Sequence, residues 1–305
     1  MLVGPTGVGK TGLSLELAEC IGGEIVSADA RQVYRYMDIG TAKPSKADRA
    51  RVAHHLIDIV DPDEKLSAGE YARRAGEAIR GIRERGGTPV VVGGSGLYIR
   101  ALIDGLFEEG GSDDAVRRRL KGRAAREGSF GLYEELRRVD PEAAEGIHPH
   151  DLHRIVRALE VFEVTGQRIS ELRRASRRTF GVFDPMMVGL ALDRVVLCRR
   201  IGDRVDAMIV QGLMDEVRGL LDMGYGPNLN ALRTVGYQEV FPYLEGRQTL
   251  RATIEAIKRN TKRYAKRQMT WFRRDGRIRW LDGSEDRKRL VDRILERYSV
   301  YSREA

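Results

Sequence analysis

The stretch Gly4-Pro5-Thr6-Gly7-Val8-Gly9-Lys10-Thr11 decides the fold of this 305-residue chain, because it matches the phosphate-binding pattern G-x-x-x-x-G-K-[ST]. In such a loop the glycines let the backbone turn tightly, so that its N–H groups point at phosphate oxygens. Lys10 adds a positive charge, and the Thr11 hydroxyl is a candidate ligand for Mg²⁺. The stretch therefore predicts an ATP-binding type of phosphate loop (P-loop), which binds a diphosphate or polyphosphate through residues Gly4, Pro5, Thr6, Gly7, Val8, Gly9, Lys10 and Thr11.

The flanks of this loop have the matching pattern. A short apolar run, residues 1–3, precedes it, and an amphipathic pattern with Leu13, Leu17 and Ile21 on one side follows it. Strand, loop and helix therefore occur in the order that the motif requires. Because a strand usually takes about five residues and only three precede the loop, we expect the N-terminus to be truncated or mis-started.

Short apolar runs continue to alternate with helical patterns as far as about residue 110. We predict strands at 24–28 and 89–92 and a helix over 68–85, which is typical of a parallel sheet in an α/β fold. Strand patterns are absent between 113 and 178, and a further strand at 186–192 returns the chain to the sheet. The prediction is a P-loop α/β core with a helical C-terminal part, residues 1–112 and 179–305, and an inserted all-helical domain, residues 113–178.

Composition limits the class of protein. Apolar residues make up 42% of the chain, enough for a core, yet no apolar run approaches the 18 residues of a membrane span and no signal peptide is evident. We therefore expect a cytoplasmic protein and, in the absence of heptads, a monomer. Cys20 and Cys198 lack C-x-x-C spacing, which argues against a disulfide scaffold or zinc site, and we expect both to be buried.

The charge distribution points to a polyanionic partner. The net charge is +8, and residues 251–274 carry nine Lys or Arg against the single acid Glu255. Read as a helix, this segment has two adjacent basic rows, and its cations are Arg259, Arg263, Arg267, Lys258, Lys262 and Lys266. A solvated helix face is the simpler interpretation. The scarcity of acids favours contact with a phosphate backbone.

Several side chains could act at the strand ends. Asp29 follows the predicted strand 24–28, where it could ligate Mg²⁺ through water, act as a general base, or merely cap a helix. Ser95 offers a hydroxyl in the Gly-rich run after the strand 89–92. Arg200 and Arg204 are four residues apart and suit the charge of a developing pyrophosphate, although salt bridges to nearby acids are an equally simple role.

Three histidines, His148, His150 and His153, superficially have the spacing of metal ligands. No fourth nitrogen or sulfur ligand is evident. Pro149 and Asp151 are instead typical of a helix start, which is the interpretation we adopt.

Seven motifs, in order over nearly the whole chain, resemble those of the bacterial tRNA dimethylallyltransferases, also called tRNA isopentenyltransferases. The most specific is the run Asp-Ile-Gly-Thr-Ala-Lys-Pro at 38–44. The motifs are GPTGVGKT (4–11), SADARQVY (27–34), MDIGTAKP (37–44), VGGSGLY (92–98), RALEV (157–161), VGYQE (235–239) and KRQMTWF (266–272).

The resemblance implies transfer of a dimethylallyl group from dimethylallyl diphosphate to the exocyclic amine of the adenosine adjacent to the anticodon, in tRNAs that read codons starting with U. Pyrophosphate is released, and Mg²⁺ is the expected cofactor. It also implies that Lys10, Thr11 with its metal, and Arg204 stabilise the leaving pyrophosphate, while Asp29 deprotonates the amine. The adenine would have to be flipped out of the anticodon loop.

Contacts with tRNA are likewise implied, with the helical insertion clamping the anticodon arm. They carry over onto Asp29, Ala30, Arg31, Gln32, Ser95, Arg117, His153, Arg154, Arg157, Arg233, Gly236, Tyr237 and Gln238. Three parts of the chain depart from the family pattern, one of them Glu108-Glu109-Gly110-Gly111 in place of a usual proline-containing turn before the insertion. Ala30 replaces a serine and removes a possible hydrogen bond to the base, whereas Ser95 replaces a common threonine and keeps its hydroxyl.

Three other functions compete with this one. An adenylate isopentenyltransferase acting on free AMP, ADP or ATP would need neither residues 117–178 nor the basic C-terminal helix. A P-loop kinase or NTPase should carry an acidic box after an apolar strand, but residues 90–92 lead into Gly93-Gly94. A non-enzymatic RNA-binding protein with a decayed site is disfavoured by the intact P-loop and Asp29.

Overall fold

The computed structural model of the chain describes residues 1–105, 113–179 and 183–304. The chain divides into two compact units, the first formed by Met1–Ile99 and Pro185–Ala305 and the second by Arg100–Asp184. The predicted domain limits after residues 112 and 178 stay predictions, and residue 112 itself lies outside the described residues.

In the described part of the first unit, six strands form one sheet in which every pairing is parallel. This confirms the predicted α/β class with a parallel sheet. In chain order the strands are β1 (Leu2–Val3), β2 (Gly23–Ala28), β3 (His54–His55), β4 (Thr88–Gly93), β5 (Val188–Ala191) and β6 (Arg279–Asp282), and across the sheet they run β3-β2-β4-β1-β5-β6.

Helices connect and cover these strands. Helices α5 to α9 lie wholly in the second unit. In chain order the helices are α1 (Lys10–Cys20), α2 (Lys46–Arg51), α3 (Ala68–Glu84), α4 (Gly96–Asp104), α5 (Asp114–Glu127), α6 (Ser129–Val139), α7 (Pro141–Glu145), α8 (Leu152–Thr165), α9 (Ile169–Thr179), α10 (Arg194–Val210), α11 (Leu213–Asp222), α12 (Phe241–Leu244), α13 (Leu250–Phe272) and α14 (Arg287–Glu304).

The register of the sheet brings three strand ends to one level. Val3 pairs with Gly93, and Gly93 also pairs with Ala28, so β1, β2 and β4 end side by side. A Cβ at position 93 would lie 2.1 Å from the Ala28 carbonyl oxygen, which is why a glycine closes β4. Loops that follow parallel strands at a common edge meet there. The P-loop, Asp29 and the Gly94-Ser95 turn therefore converge.

Apolar side chains of the sheet pack against helices and form a core that stabilises the first unit. Leu2 and Leu190 from the strands pack in one cluster with Leu13 and Leu17 of α1 and with Ile294 of α14. Burying each such side chain contributes roughly 1.5–3 kcal/mol. Strands of this kind are covered on both faces, so they show apolar runs rather than alternation.

The prediction that both cysteines are buried is wrong. Cys20 is exposed and Cys198 is partly exposed. Cys20 is the last residue of α1, and the buried side chain in that final turn is Leu17.

The second unit has its own core. Leu120, Leu136, Ile155 and Leu159 are buried together between its helices. Side-chain caps start these helices: Asp113 accepts hydrogen bonds from the amides of residues 115 and 116 before α5, and Asp151 accepts one from the amide of Arg154 in α8. The start of α8 after Asp151 agrees with the helix start predicted there.

Among the helices that the structure describes, none combines the length and the apolar character needed to cross a membrane. The cytoplasmic location stays a prediction.

Candidate active site

The P-loop connects β1 to α1, and two of its carbonyl oxygens bind the Lys10 side chain. Gly4 has a φ of 147°, and a Cβ there would lie 2.7 Å from the Leu190 carbonyl oxygen, so only glycine fits. The Lys10 Nζ donates to the carbonyl oxygens of Gly4 and Pro5, each at 2.9 Å. Its ammonium group is thereby held over the loop, in the position where a phosphate would bind.

Three charged groups share the space at the strand ends. Burial lowers the pKa of Lys10 to about 8, the nearby Asp29 carboxylate acts in the opposite direction, and Arg204 of α10 adds to the lowering. Burial likewise lowers the pKa of Arg204, again opposed by Asp29. A cation that is partly withdrawn from water attracts an anion more strongly than a fully hydrated one. Their mutual electrostatic influence shows that Lys10, Arg204 and Asp29 lie near one another, while their roles in the reaction stay predictions.

Asp29 directly follows β2 and shapes the turn there. Its Oδ1 accepts hydrogen bonds from the amides of Arg31 at 2.8 Å and Gln32 at 3.4 Å, which is a turn cap rather than a helix cap. Its Oδ2 makes no hydrogen bond with any residue that the structure describes. One oxygen thus fixes the orientation of the carboxylate and the other is available for a proton.

Ser95 supports the same turn from β4. Its Oγ accepts a hydrogen bond from the Ala30 amide at 2.8 Å, and its own amide donates to the Ala28 carbonyl oxygen at 3.1 Å. The hydroxyl of Ser95, predicted as a tRNA contact, is therefore engaged with the backbone beside Asp29. Ala30 contributes to this contact through its backbone amide, which an alanine supplies as well as a serine does.

The turn is tied to the Asp-Ile-Gly-Thr-Ala-Lys-Pro segment. Gln32 donates from Nε2 to the carbonyl oxygens of Thr41 at 3.3 Å and Ala42 at 3.2 Å. Arg31 donates to the carbonyl oxygen of Asn230 at 2.8 Å. These contacts fix the side chains of both residues, whose role in tRNA binding stays a prediction.

Glu216 of α11 is an anchor that sequence reasoning missed. Its carboxylate accepts hydrogen bonds from the amides of Asp38 at 2.8 Å and Ile39 at 2.7 Å, and from the Tyr237 hydroxyl at 2.6 Å. Tyr237 is fully buried in this arrangement, and the Gly236 amide donates to buried Glu239 at 2.8 Å. Within the predicted tRNA-contacting run 233–238, the exposed side chains are those of Arg233 and Gln238.

The inward side of α13 contributes residues to which the sequence assigned no role. Burial and the nearby Asp29 carboxylate raise the pKa of Tyr264 to about 12. Gln268 is buried and accepts a hydrogen bond from the Thr6 amide at 2.9 Å. The four-residue spacing of Tyr264 and Gln268, opposite the basic rows, was the signal available in the sequence. On α10, Arg200 also lies beside the P-loop. A Cβ placed on Gly9 would lie 3.8 Å from the Arg200 Nη1.

The outward side of α13 is basic, with one correction. The side chains of Arg259, Lys262, Arg263, Lys266 and Arg267 are exposed. Lys258 was predicted in the same rows. It is instead only 18% exposed and forms an ion pair with Asp206 at 2.7 Å, so it is withdrawn from the open surface. The five exposed cations are called the basic face below.

The predicted tRNA contacts of the second unit fall into two kinds. Arg117 and Arg157 both pair with the fully buried carboxylate of Glu160, at 2.9 and 3.1 Å. His153 and Arg154 are exposed at the start of α8. The buried acid fixes the orientation of the two guanidinium groups, since an unpaired carboxylate at that depth would be costly.

The oxygen donors at the strand ends suit Mg²⁺. Thr11 lies in the first turn of α1 with its side chain exposed. Within the described residues no group of three His, Cys, Asp or Glu side chains could hold a metal ion by itself. Mg²⁺ commonly takes one or two protein oxygens and completes its shell with substrate phosphates and water. A metal bound mainly by a diphosphate fits this donor set.

Comparison with known proteins agrees with this geometry. The family model described as IPP transferase matches residues 32–275. A tRNA dimethylallyltransferase of Geobacter sulfurreducens is 49% identical over 282 residues, covering 92% of this chain and 91% of that protein. A tRNA dimethylallyltransferase of Thermotoga maritima is 46% identical over 302 residues, covering 97% and 98% of the two chains.

Solved structures give the same result. The full-length tRNA isopentenylpyrophosphate transferase of Bacillus halodurans superposes with a TM-score of 0.74 at 39% identity, covering 99% of this chain and 96% of that one. A eukaryotic dimethylallyltransferase acting on tRNA superposes with a TM-score of 0.77 at 29% identity, covering 93% and 73%. The resemblance inferred from the motifs is confirmed, and the chain belongs to the IPP transferase family, that of the tRNA dimethylallyltransferases.

Proposed function

We propose that the chain transfers a dimethylallyl group from dimethylallyl diphosphate to the exocyclic amine of the adenosine adjacent to the anticodon in tRNA. The observation that carries this proposal is the meeting of Lys10, Arg204 and Asp29 at the aligned strand ends. Two cations suit the leaving diphosphate, and a carboxylate beside them suits the attacking amine.

Lys10, Arg204 and the P-loop amides stabilise the negative charge that develops on the diphosphate. Both cations are partly buried, and this burial lowers the pKa of each. A bound diphosphate interacts strongly with the two cations because they are partly withdrawn from water, where the effective dielectric constant is lower. Negative charge increases on the leaving group as its bond to carbon breaks, so these contacts strengthen toward the transition state.

Asp29 accepts the proton of the amine. The lone pair of the adenine exocyclic nitrogen forms a bond to the allylic carbon, the carbon–oxygen bond breaks, and its electron pair leaves with pyrophosphate. The nitrogen then releases one proton to Oδ2, while Oδ1 stays bound to the amides of Arg31 and Gln32. The carboxylate is thereby oriented before the amine arrives.

We further propose Mg²⁺ as the cofactor, held by the Thr11 hydroxyl together with oxygens of the diphosphate. When bound, it would neutralise part of the charge on the leaving group. The exposed side chain of Thr11 at the start of α1 leaves its oxygen accessible for that role.

Exposed polar and basic side chains would bind the RNA. In the first unit these are Arg233, Gln238 and the basic face of α13. In the second unit they are His153 and Arg154. Lys and Arg contacts to phosphates position an RNA, and the target base must leave its stack to reach Asp29.

Transfer of radiolabelled dimethylallyl groups, with Mg²⁺ present, to unmodified tRNA and separately to AMP and ATP tests this function. Label in tRNA alone is the expected result. Label in a free nucleotide would assign the chain to the adenylate isopentenyltransferases instead. Hydrolysis of ATP without any transfer would favour a P-loop NTPase.

A further inference from the structure

Gln268 is a buried polar residue on the inward side of α13, where Ala265 and Phe272 are also buried. It retains 7% of its exposure, whereas its neighbours Lys266 and Arg267 are exposed. A buried amide must satisfy both its donor and its acceptor, because an unsatisfied group costs about 1–3 kcal/mol. Its partners therefore indicate what the residue is built to hold.

Both ends of the carboxamide bind backbone of loops that are distant in sequence. Oε1 accepts from the Thr6 amide of the P-loop at 2.9 Å. Nε2 donates to the Gly94 carbonyl oxygen, also at 2.9 Å. A Cβ on Gly94 would lie 2.3 Å from this Nε2, so the backbone approaches the amide as closely as a residue without a side chain allows. One side chain thus bridges the P-loop and the turn after β4.

The turn after β4 leads directly to the general base. Ser95 follows Gly94, and its Oγ accepts the hydrogen bond of the Ala30 amide, next to Asp29. Continuous contacts therefore run from Thr6 through Gln268, Gly94 and Ser95 to the residue beside Asp29. The loop proposed to hold the leaving group is connected by these contacts to the turn that holds the base.

We infer that Gln268 is a positioning residue, which fixes the P-loop relative to the Asp29 turn and so sets the distance between the leaving diphosphate and the base. This inference rests on the proposed function. A misplacement of about 1 Å between reacting groups can cost on the order of 100-fold in rate. The effect of losing the bridge should thus fall on kcat, while the affinity for tRNA depends on the exposed side of the same helix.

The test replaces Gln268 with Met, which has a similar shape and forms neither hydrogen bond. In Gln268→Met we expect kcat for transfer to tRNA to fall by about 10- to 100-fold, with a smaller change in KM for dimethylallyl diphosphate and no change in the salt dependence of tRNA binding. Gln248→Met is the matched control. Gln248 donates to the Thr253 hydroxyl near the start of α13 and contacts neither loop, so kcat should match the wild type.

A second variant, Gln268→Glu, gives a readout that a purely structural role would not produce. The Glu side chain still accepts from the Thr6 amide, but it donates to the Gly94 carbonyl oxygen only when protonated. The ratio of its kcat to that of the wild type should therefore rise as the pH is lowered. The thermal unfolding midpoint of each variant shows whether it is folded. If Gln268→Met does not fold, Gln268→Glu tests the positioning role in its place.

The outcomes separate the two proposals. A wild-type protein that transfers label to tRNA, with Gln268→Met equally fast, overturns the positioning role alone. The positioning role is also overturned if Gln268→Met changes only KM for tRNA. It is overturned as well if the ratio of kcat in Gln268→Glu to kcat in the wild type does not vary with pH. A wild-type protein that transfers no label overturns the proposed function, and this inference with it. Amide exchange at Thr6, slow in the wild type and faster in Gln268→Met, reports the bridge without any substrate.

Discussion

The strand-end site and the basic face of α13 both collect positive charge, but they hold it in different ways. At the strand ends Lys10 and Arg204 are partly buried and their pKa values are lowered, near an oriented Asp29. On the basic face, cations such as Lys262 and Arg263 are exposed to solvent. Buried charges act through position, because the low dielectric strengthens each contact, whereas exposed charges act through number and are screened by salt. The first region suits catalysis and the second suits RNA binding.

Removing the base should have the largest effect. Asp29→Ala is expected to lower kcat by about 10²–10⁴-fold, the usual contribution of a general base, while tRNA affinity stays within a few-fold. Single-turnover transfer and filter binding measure the two quantities. Asp203→Ala, which removes an exposed acid of α10, is the control. Wild-type turnover in Asp29→Ala would reject Asp29 as the base.

Removing a partly buried cation of the strand-end site should have the second-largest effect. Lys10→Met is expected to lower kcat/KM for dimethylallyl diphosphate by about 10²–10³-fold, the loss typical of a preorganised charge contact, without changing the salt dependence of tRNA binding. Lys288→Met, at an exposed position of α14, should behave as the wild type. If both variants had the same kinetics, the distinction between buried and exposed charges would fail.

Neutralising the basic face should change binding rather than chemistry. In the triple variant Lys262→Gln, Lys266→Gln and Arg267→Gln, the slope of log affinity for tRNA against log salt should become shallower by up to about 2–3, since each lost phosphate contact contributes roughly 0.7–0.9. Saturating tRNA should restore kcat. The corresponding changes at Lys288 and Arg297, exposed on α14, should leave the slope unaltered. An unchanged slope in the triple variant would place the RNA on another surface.

The smallest effect is expected from a cap that supports the site without touching it. Asp193 accepts hydrogen bonds from the amides of Val195 and Val196 and so starts α10, the helix of Arg204. Asp193→Ala should lower the free energy of unfolding by about 1 kcal/mol, with unchanged kcat per folded molecule. Asp193→Ser should recover most of the stability, because it keeps a capping oxygen. Chemical denaturation measures both variants, and a fall in kcat without a loss of stability would contradict this role.

The sequence predicted those parts of the fold that depend on local patterns. The P-loop, the basic helix and the strands predicted at 24–28 and 89–92 each follow from apolar runs or helical spacing within one segment, and the structure has those strands at 23–28 and 88–93. Asp29 and Lys10 could be placed together because parallel strand ends share an edge. The family followed from the motifs.

Contacts between segments that are distant in sequence could not be predicted from local patterns. The bond from Gln268 to Gly94 joins residues 174 positions apart, and the bond from the Asp38 amide to Glu216 joins residues 178 positions apart. No periodic pattern specifies which buried polar group meets which loop. The withdrawal of Lys258 into an ion pair with Asp206 has the same origin, because its row on α13 could be predicted but not the helix that packs beside it.

The most direct test of the account is to map the modified nucleotide after incubating unmodified tRNA with the protein, dimethylallyl diphosphate and Mg²⁺. Nuclease digestion followed by mass spectrometry would be applied to the wild type and Asp29→Ala side by side. The account predicts one dimethylallyl group on the adenosine next to the anticodon with the wild type, and almost none with the variant. Modification of another nucleotide, or equal modification by both proteins, would contradict it.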